Sequence, residues 1–555
     1  MNNREPDLCV GIDFGTTYTG VSWSTPKEIS NRINIIKQWP GEAIDEEKVP
    51  TVLAKDASGG ETRWGFLCKE LAEHKKWRYF KLLLKADLTF SRQLRLKTWD
   101  SLAIDFVFST PTTWQAPVSL CFRGIVSKAG FGEQKAHRVV LGLTEAEASA
   151  VFTCQPWTVG KVQKDDVVLS IGAGGGTTDL AFVKATDDTA GSLTLEEIRP
   201  VTGVTTGSIT IDTEFEKIID KRVEQHSETR RELPKDFSLK VSQSHDFQTW
   251  KHKLGPKDRA PSGGEYRIRR VTGKDSYSHE GLGIREDSLY FTRRQLESCF
   301  DIALQEIKGL VKDALGNFEA NNHHKRTARH VNYIVLSGGL GSSDYVLNEL
   351  TAYFNRLGNE ANSCVTGSKV FRAEGDARTA VVKGLLHDRR TKARTLGEHK
   401  ARSNYGIIVE EPQSASRSPN ESTKRYPKDT TVFVTDRIHW LVKFGETIQV
   451  DKPTTVKITK RLEKSDEWKW TEKIVWLGGG GENLPTNVKD GCKMRMEELR
   501  SVDIEVRPGV KLSAGARTVL GKRAYHECEF NLMLVVGPSG DCDVEVSENV
   551  IKRSE

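Results

Sequence analysis

The 555-residue sequence contains no apolar run approaching the ~18 residues that a membrane-spanning helix requires. Its start, MNNREPDLCVGID, lacks an apolar stretch of signal-peptide length. No CxxC pair occurs. The nine cysteines stand singly at positions 9, 68, 121, 154, 299, 364, 492, 528 and 542. That scatter fits reduced core thiols rather than a disulfide framework or a zinc site. Charge of one sign is scarcely in excess: 82 Lys plus Arg against 76 Asp plus Glu leaves +6. With no nucleic-acid-binding motif, this speaks against a nucleic-acid partner. A GxxxxGK[ST] loop is also missing, which excludes a Walker-type phosphate site. The expectation is a cytoplasmic or nuclear protein with neither nucleic acid nor membrane as partner.

What is present fits a soluble globular chain, with 37% hydrophobic and 28% charged residues. The length predicts three or four domain-sized units. Two stretches, LCVGIDFGTTYTGVSWSTP (8–26) and DVVLSIGAGGGTTDLAFVKA (166–185), each read as strand, glycine-threonine turn, strand. They form an internal repeat, the second expanded by two glycines. Helical patterns fall at 64–85, 114–129, 145–154, 212–225, 243–254, 293–316 and 343–357. The apolar run VNYIVLSGG (331–339) reads as a strand entering a helix start. Residues 388–402, DRRTKARTLGEHKAR, read as a basic linker or surface segment. Beyond them come short β-like runs separated by turn-rich gaps. The last run lies close to position 555, so the expectation is that no long helical domain follows it.

Glycine turns let backbone N–H groups approach phosphate oxygens closely, and threonine hydroxyls add donors. GAGGGT differs from a dinucleotide fingerprint in having Thr177 at its last position. A Rossmann turn must also open a helix, whereas TDLAFVKA continues as a strand. Two matched turns, one domain length apart, predict a nucleotide held in a cleft between two lobes.

VGIDFGTTYTGV resembles the first phosphate motif of the actin, hexokinase and 70-kDa heat-shock superfamily. GAGGGTTDLA resembles its second phosphate motif and IVLSGGLGSSDYV its adenosine motif. LTEAEASAVF and EGDARTAVVKGLL resemble its two connecting helices. The five occur in the family's order over about residues 7–390, and GIDFGTTYTG and TEAEASA are most similar to the heat-shock chaperones. The β-only C-terminal stretch is similar to the divergent lid-less class typified by heat-shock 70 family member 12. The resemblance implies an α/β chain with a duplicated actin-like ATPase fold, two lobes with mixed sheets around a nucleotide cleft, followed by a mainly β domain. The implied boundaries are 1–165 and 166–387 for the lobes, 388–402 for the linker and 403–555 for the β domain.

By the same resemblance, Asp13 would face Mg²⁺ through water, and Gly15, Thr16, Thr17 and Tyr18 would wrap the β- and γ-phosphates of ATP or ADP. Lys81, in RYFKLLLK, matches the family's catalytic lysine or is an ordinary lysine of an amphipathic helix. Glu145 matches the family's metal- and water-positioning glutamate, with Ala146 in place of a proline. Gly174, Gly175, Gly176 and Thr177 would hold the γ-phosphate side, and Asp179 closes the motif. Gly338 and Gly339 would receive adenosine. Lys251 would clasp ribose and adenine, with Gln248 where a glutamate is usual. The family's second motif begins with aspartate, whereas Gly172 stands here, at the place the internal repeat gives to Asp13. Losing that carboxylate should slow phosphoryl transfer more than it weakens binding. The basic 388–402 segment departs from the family's acidic, leucine-rich linker, and the terminal IKRSE is no acidic co-chaperone tail. The resulting expectation is a chaperone-like ATP-binding protein with slow or absent hydrolysis and a protein partner on the β domain. A scaffold with structural nucleotide and a small-molecule kinase stay open as alternatives; no motif identifies the general base a kinase needs.

Overall fold

In the computed structural model the apolar run Leu8–Phe14 forms strand β1, buried along its whole length, and returns through Gly15–Thr17 as β2 (Tyr18–Ser24). A strand covered on both faces needs such a continuous apolar run. The structure describes residues 6–26, 32–55, 62–71, 75–78, 102–155, 162–189, 192–255, 264–322, 330–373, 377–390, 395–413, 421–425, 432–449, 452–462, 468–481, 483–510, 512–514 and 526–553. They form two compact units. The first takes residues up to Thr113 and Gly124–Leu396, the second Trp114–Arg123 and Gly397–Glu555.

The strands that follow in the first unit are β3 (Asn34–Ile35), β4 (Val49–Pro50), β5 (Val52–Lys55), β6 (Thr62–Trp64), β7 (Lys76–Arg78), β8 (Ile104–Thr110) and β9 (His137–Thr144). After them come β10 (Val167–Ala173), β11 (Thr178–Thr189), β12 (Ser192–Glu197), β13 (Thr202–Val204), β14 (Glu265–Arg269), β15 (Ile284–Arg285), β16 (Ser288–Thr292), β17 (Tyr333–Ser337) and β18 (Lys369–Arg372). Two of the sheets run in one strand order. The first is β3-β2-β1-β8-β9 and the second includes β12-β11-β10-β17-β18, with β4 and β13 attached to β2 and β11. In each, the hairpin is antiparallel and the next two strands are parallel to its first. The helices of this unit include α1 (Ala116–Lys128), shared with the second unit, α2 (Glu145–Thr153), α3 (Ser208–Gln225), α4 (Phe237–Ser242), α5 (His245–Lys253), α6 (Arg293–Asn322), α7 (Gly338–Gly341), α8 (Asp344–Gly358) and α9 (Ala380–Arg390).

Helices α2 and α9 follow the last strand of their respective sheets, yet each packs on the other sheet's hairpin and against its counterpart. The Ser22 hydroxyl on β2 donates to the Val382 carbonyl of α9 at 3.0 Å, and Ser149 of α2 bonds Ser337 at the end of β17. At their crossing, a Cβ on Gly384 would sit 1.8 Å from the Ala148 carbonyl oxygen. Thr144 and Glu147 close a capping box at the start of α2.

Three sequence expectations change. The turns show no two-residue expansion: Asp13 pairs with Gly20 and Gly172 with Asp179, seven residues on in both hairpins. The second turn carries Gly175–Gly176 where the first carries Thr16–Thr17. The helix expected over 64–85 is instead the end of β6, a short 3₁₀ turn at Gly65–Cys68 and strand β7, beside β5. Gly65, at φ +59°, breaks the helical path; residues 79–85 lie outside the described ones. At its described residues, 388–390 and 395–402, the basic segment is not all surface. It holds the end of α9 and a strand, β19 (Leu396–Lys400), and Asp388, Leu396 and His399 are buried.

In the second unit β19 pairs with β23 (Thr447–Gln449). The larger sheet has the order β21-β22-β20-β25-β26-β30, built from β20 (Ser403–Pro412), β21 (Thr423–Arg425), β22 (Val432–Val442), β25 (Lys469–Gly478), β26 (Glu497–Val506) and β30 (Val550–Lys552). A smaller one joins β24 (Thr454–Leu462), β27 (Ser513–Ala514), β28 (His526–Val536) and β29 (Cys542–Glu548). A short helix, α10 (Val488–Lys493), lies between β25 and β26 in sequence. Tyr405, Ile407, Ile474, Phe530 and Leu532 fill the core, together with Ala116 of α1.

Candidate functional site

The two glycine-threonine turns meet. A Cβ on Gly175 would lie 2.2 Å from the Thr17 hydroxyl, and one on Gly176 would lie 2.8 Å from that of Thr16. The glycines of the second turn leave the space that the threonines of the first turn fill. Gly15, Thr16, Thr17 and Gly174–Thr177 are half-buried, whereas the Tyr18 side chain is 46% exposed. Thr51 braces the first turn, its hydroxyl donating to the Gly15 carbonyl and its N–H to that of Thr17, both at 2.8 Å. Helix α3 anchors the second. The N–H groups of Ser208 and Ile209, unpaired within a helix's own first turn, donate to the carbonyls of Gly174 and Gly175 at 3.1 and 2.9 Å.

Behind the second turn, Gly338 has φ +83°, and a Cβ there would lie 2.3 Å from the Ala173 carbonyl oxygen. Only glycine fits this approach. Nothing lies within 4 Å of a Cβ placed on neighbouring Gly339, so its face is open. Thr16, Thr17, Gly174–Gly176 and Gly338 therefore form one continuous set of contacts. Lys251 of α5 is 4% exposed, and its ammonium pairs with Asp212 of α3 at 2.6 Å. The Gln248 amide donates to the same carboxylate oxygen at 3.1 Å. Burial pushes the Asp212 carboxyl up, and Lys251 opposes that rise. Gly255, just past α5, packs on Asp344 at the start of α8, which links the Lys251 helix to the Gly338–Gly339 region.

Asp13 and Asp179 are both buried, each in one hairpin and on opposite strands of the register. Asp179 accepts from the Thr177 hydroxyl at 2.9 Å and lies over Gly203 of β13, where a Cβ would be 2.4 Å from its Oδ1. Glu145 is the first residue of α2, half-buried beside the Thr144 cap. Lys81 lies outside the described residues. The lysine that does reach the site is Lys48, whose Nζ is 2.7 Å from Asp13 Oδ2. Sequence reasoning missed it. KVPT matches no motif, and only the pairing of β4 with β2 brings Lys48 to the turn.

A chain of phosphates suits these turns, because glycine backbone and threonine hydroxyls converge there without a side chain in the way. Hydrolysis needs, in addition, charge placed where the transition state develops it. Gly172 contributes none, although a Cβ there would meet only Ser337 Oγ at 3.7 Å and the Asp179 carbonyl oxygen at 3.8 Å.

A family model described as a domain of unknown function, DUF8568, matches residues 399–537. No curated protein matches the chain. Among solved structures, the crystal structure of MreB 5 of Spiroplasma citri bound to AMPPNP is similar, with a TM-score of 0.42 and 15% identity over 69% of this chain and 95% of that one. Among the described residues no helix is long and apolar enough to cross a membrane.

Proposed function

We propose that the first unit is a two-lobed, actin-like nucleotide-binding domain that holds ATP or ADP and hydrolyses it slowly or not at all. One observation carries this reading: two register-matched glycine-threonine turns, from two sheets of the same strand order, touch one another with Gly338 packed directly behind. Gly15–Thr17 and Gly174–Thr177 would hold the phosphates. The open face of Gly339 would take the nucleoside, with the Lys251 helix alongside. Bound ATP supplies a transferable γ-phosphoryl group; the chain supplies position and donors. With glycine at 172, the second hairpin has no carboxylate opposite Asp179 to orient water, so binding outlasts turnover. The resemblance to heat-shock chaperones adds a finer reading, in which the lobes close on nucleotide and the C-terminal β unit takes a protein partner.

The test is melting of the full chain with and without ATP or ADP, paired with equilibrium binding. A ligand at about a hundredfold above its Kd stabilises by about 2.7 kcal/mol, so a clear rise in Tm is expected with both nucleotides. No rise at millimolar nucleotide, with or without Mg²⁺, would sink the reading.

A further inference from the structure

Lys48 sits against Asp13, the carboxylate that the sequence resemblance assigns to a hydrated Mg²⁺. Its ammonium is 2.7 Å from Asp13 Oδ2, and the two side chains are 19% and 7% exposed. The Ser109 hydroxyl lies 3.5 Å from the other carboxylate oxygen. The lysine stem crosses Gly20: a Cβ there would lie 3.1 Å from Lys48 Cε and 3.4 Å from its Cγ. Gly20 is the register counterpart of Asp179. The volume that holds a carboxylate in the second hairpin thus holds a lysine in the first. A divalent ion at this corner would find Asp13 already neutralised, glycine at 172, and Asp179 bonded to Thr177. These residues do not fit a Mg²⁺ held at Asp13.

They fit a different cation. An ammonium has three N–H donors, and among the described residues Asp13 is the one hydrogen-bond partner that Lys48 has. The first turn lies on the same hairpin, and Thr51, three residues beyond Lys48, is bonded to it. We propose that Lys48 is the resident cation of the phosphate site: it neutralises Asp13, donates to a phosphate oxygen, and makes nucleotide binding independent of a divalent metal. This rests on the nucleotide reading above.

The experiment is calorimetric titration of ATP into the full-length protein, in Mg²⁺ and in excess EDTA, for the native chain, Lys48→Met and Lys48→Arg. A hydrogen bond to a charged group is worth about 1.5–3 kcal/mol, or roughly 10–100-fold in Kd. The native chain should therefore bind ATP in EDTA within about threefold of its affinity in Mg²⁺. Lys48→Met should lose about tenfold or more in EDTA, and Lys48→Arg should keep most of the affinity there. Two results overturn the proposal while leaving nucleotide binding intact: loss of native binding on chelation, or Lys48→Met binding as the native chain does in EDTA. If Lys48→Met fails to fold, the native chelation arm still decides. Absence of binding in both buffers removes the nucleotide reading and this proposal together.

Discussion

Each hairpin carries one aspartate and one glycine facing each other, Asp13 against Gly20 and Gly172 against Asp179, and the two arrangements are reversed. The site therefore has two carboxylates, but from non-equivalent strands. Gly172 is the informative position, because its surroundings accept a side chain: its nearest neighbours lie at ordinary contact distance from a Cβ, and its φ is not positive. Gly172→Asp should fold and, with Mg²⁺ present, raise single-turnover ATP hydrolysis by about tenfold or more. The added carboxylate faces Asp179 across the ladder, so without metal the variant should melt below the native chain, like charges being costly there. Unchanged turnover in a folded, nucleotide-binding variant would mean that Gly172 is not what limits hydrolysis. This substitution was legible in the sequence because the repeat compares two stretches of one chain. Lys48 was not legible, because its partner is 35 residues away and only β4–β2 pairing joins them.

Elements were read from the sequence where hydrophobic period decided them. Six of the seven helical patterns coincide with α1, α2, α3, α5, α6 and α8. The seventh failed because a helical period alone does not register a left-handed glycine or a small sheet waiting to take Lys76–Arg78. Residue identity, Gly-Thr-Thr against Gly-Thr-Thr, misaligns the two hairpins, whereas register sets Thr16–Thr17 against Gly175–Gly176. Packing between elements was invisible, and the α2–α9 crossing is the clearest case. Gly384→Ala would place a methyl 1.8 Å from the Ala148 carbonyl oxygen, where backbone on both sides must move. It should destabilise the first unit by about 3 kcal/mol in denaturant titration. Gly309, within α6, has nothing within 4 Å of its Cβ position. Gly309→Ala should instead stabilise by about 0.5–1 kcal/mol, through helix propensity alone. Equal effects from the two substitutions would contradict the tight crossing.

At the scale of the whole molecule, single strands of the C-terminal stretch are legible, because alternation such as that of His526–Val536 marks a half-buried strand. Its membership was not. The second unit also includes Trp114–Arg123, some 270 residues before Gly397, where the rest of that unit begins, and the matching family model, 399–537, covers neither that segment nor β29. The Ser119 hydroxyl donates to the Ser539 carbonyl at 2.9 Å, and Arg123 pairs with Asp541 at 3.3 Å and with Asp543 at 3.1 Å. Asp541 is buried, with the Ser539 hydroxyl on its Oδ1. Burial pushes its carboxyl up and Arg123 holds it down. Arg123→Met would leave that carboxylate without its guanidinium, a loss of about 3–5 kcal/mol for a buried pair broken on one side. A carboxyl whose folded pKa lies above its unfolded value binds its proton more readily when folded, so acidification towards that pKa favours the folded chain. The deficit of Arg123→Met should therefore be largest at neutral pH and shrink as the pH falls and Asp541 takes up a proton. Hydrogen exchange on the full chain localises the effect: amides of β28 and β29 should exchange faster in the variant at neutral pH, while those of β1 and β10 keep their native rates. Unchanged exchange in β28 and β29 would show that the second unit holds together without residues from the N-terminal half.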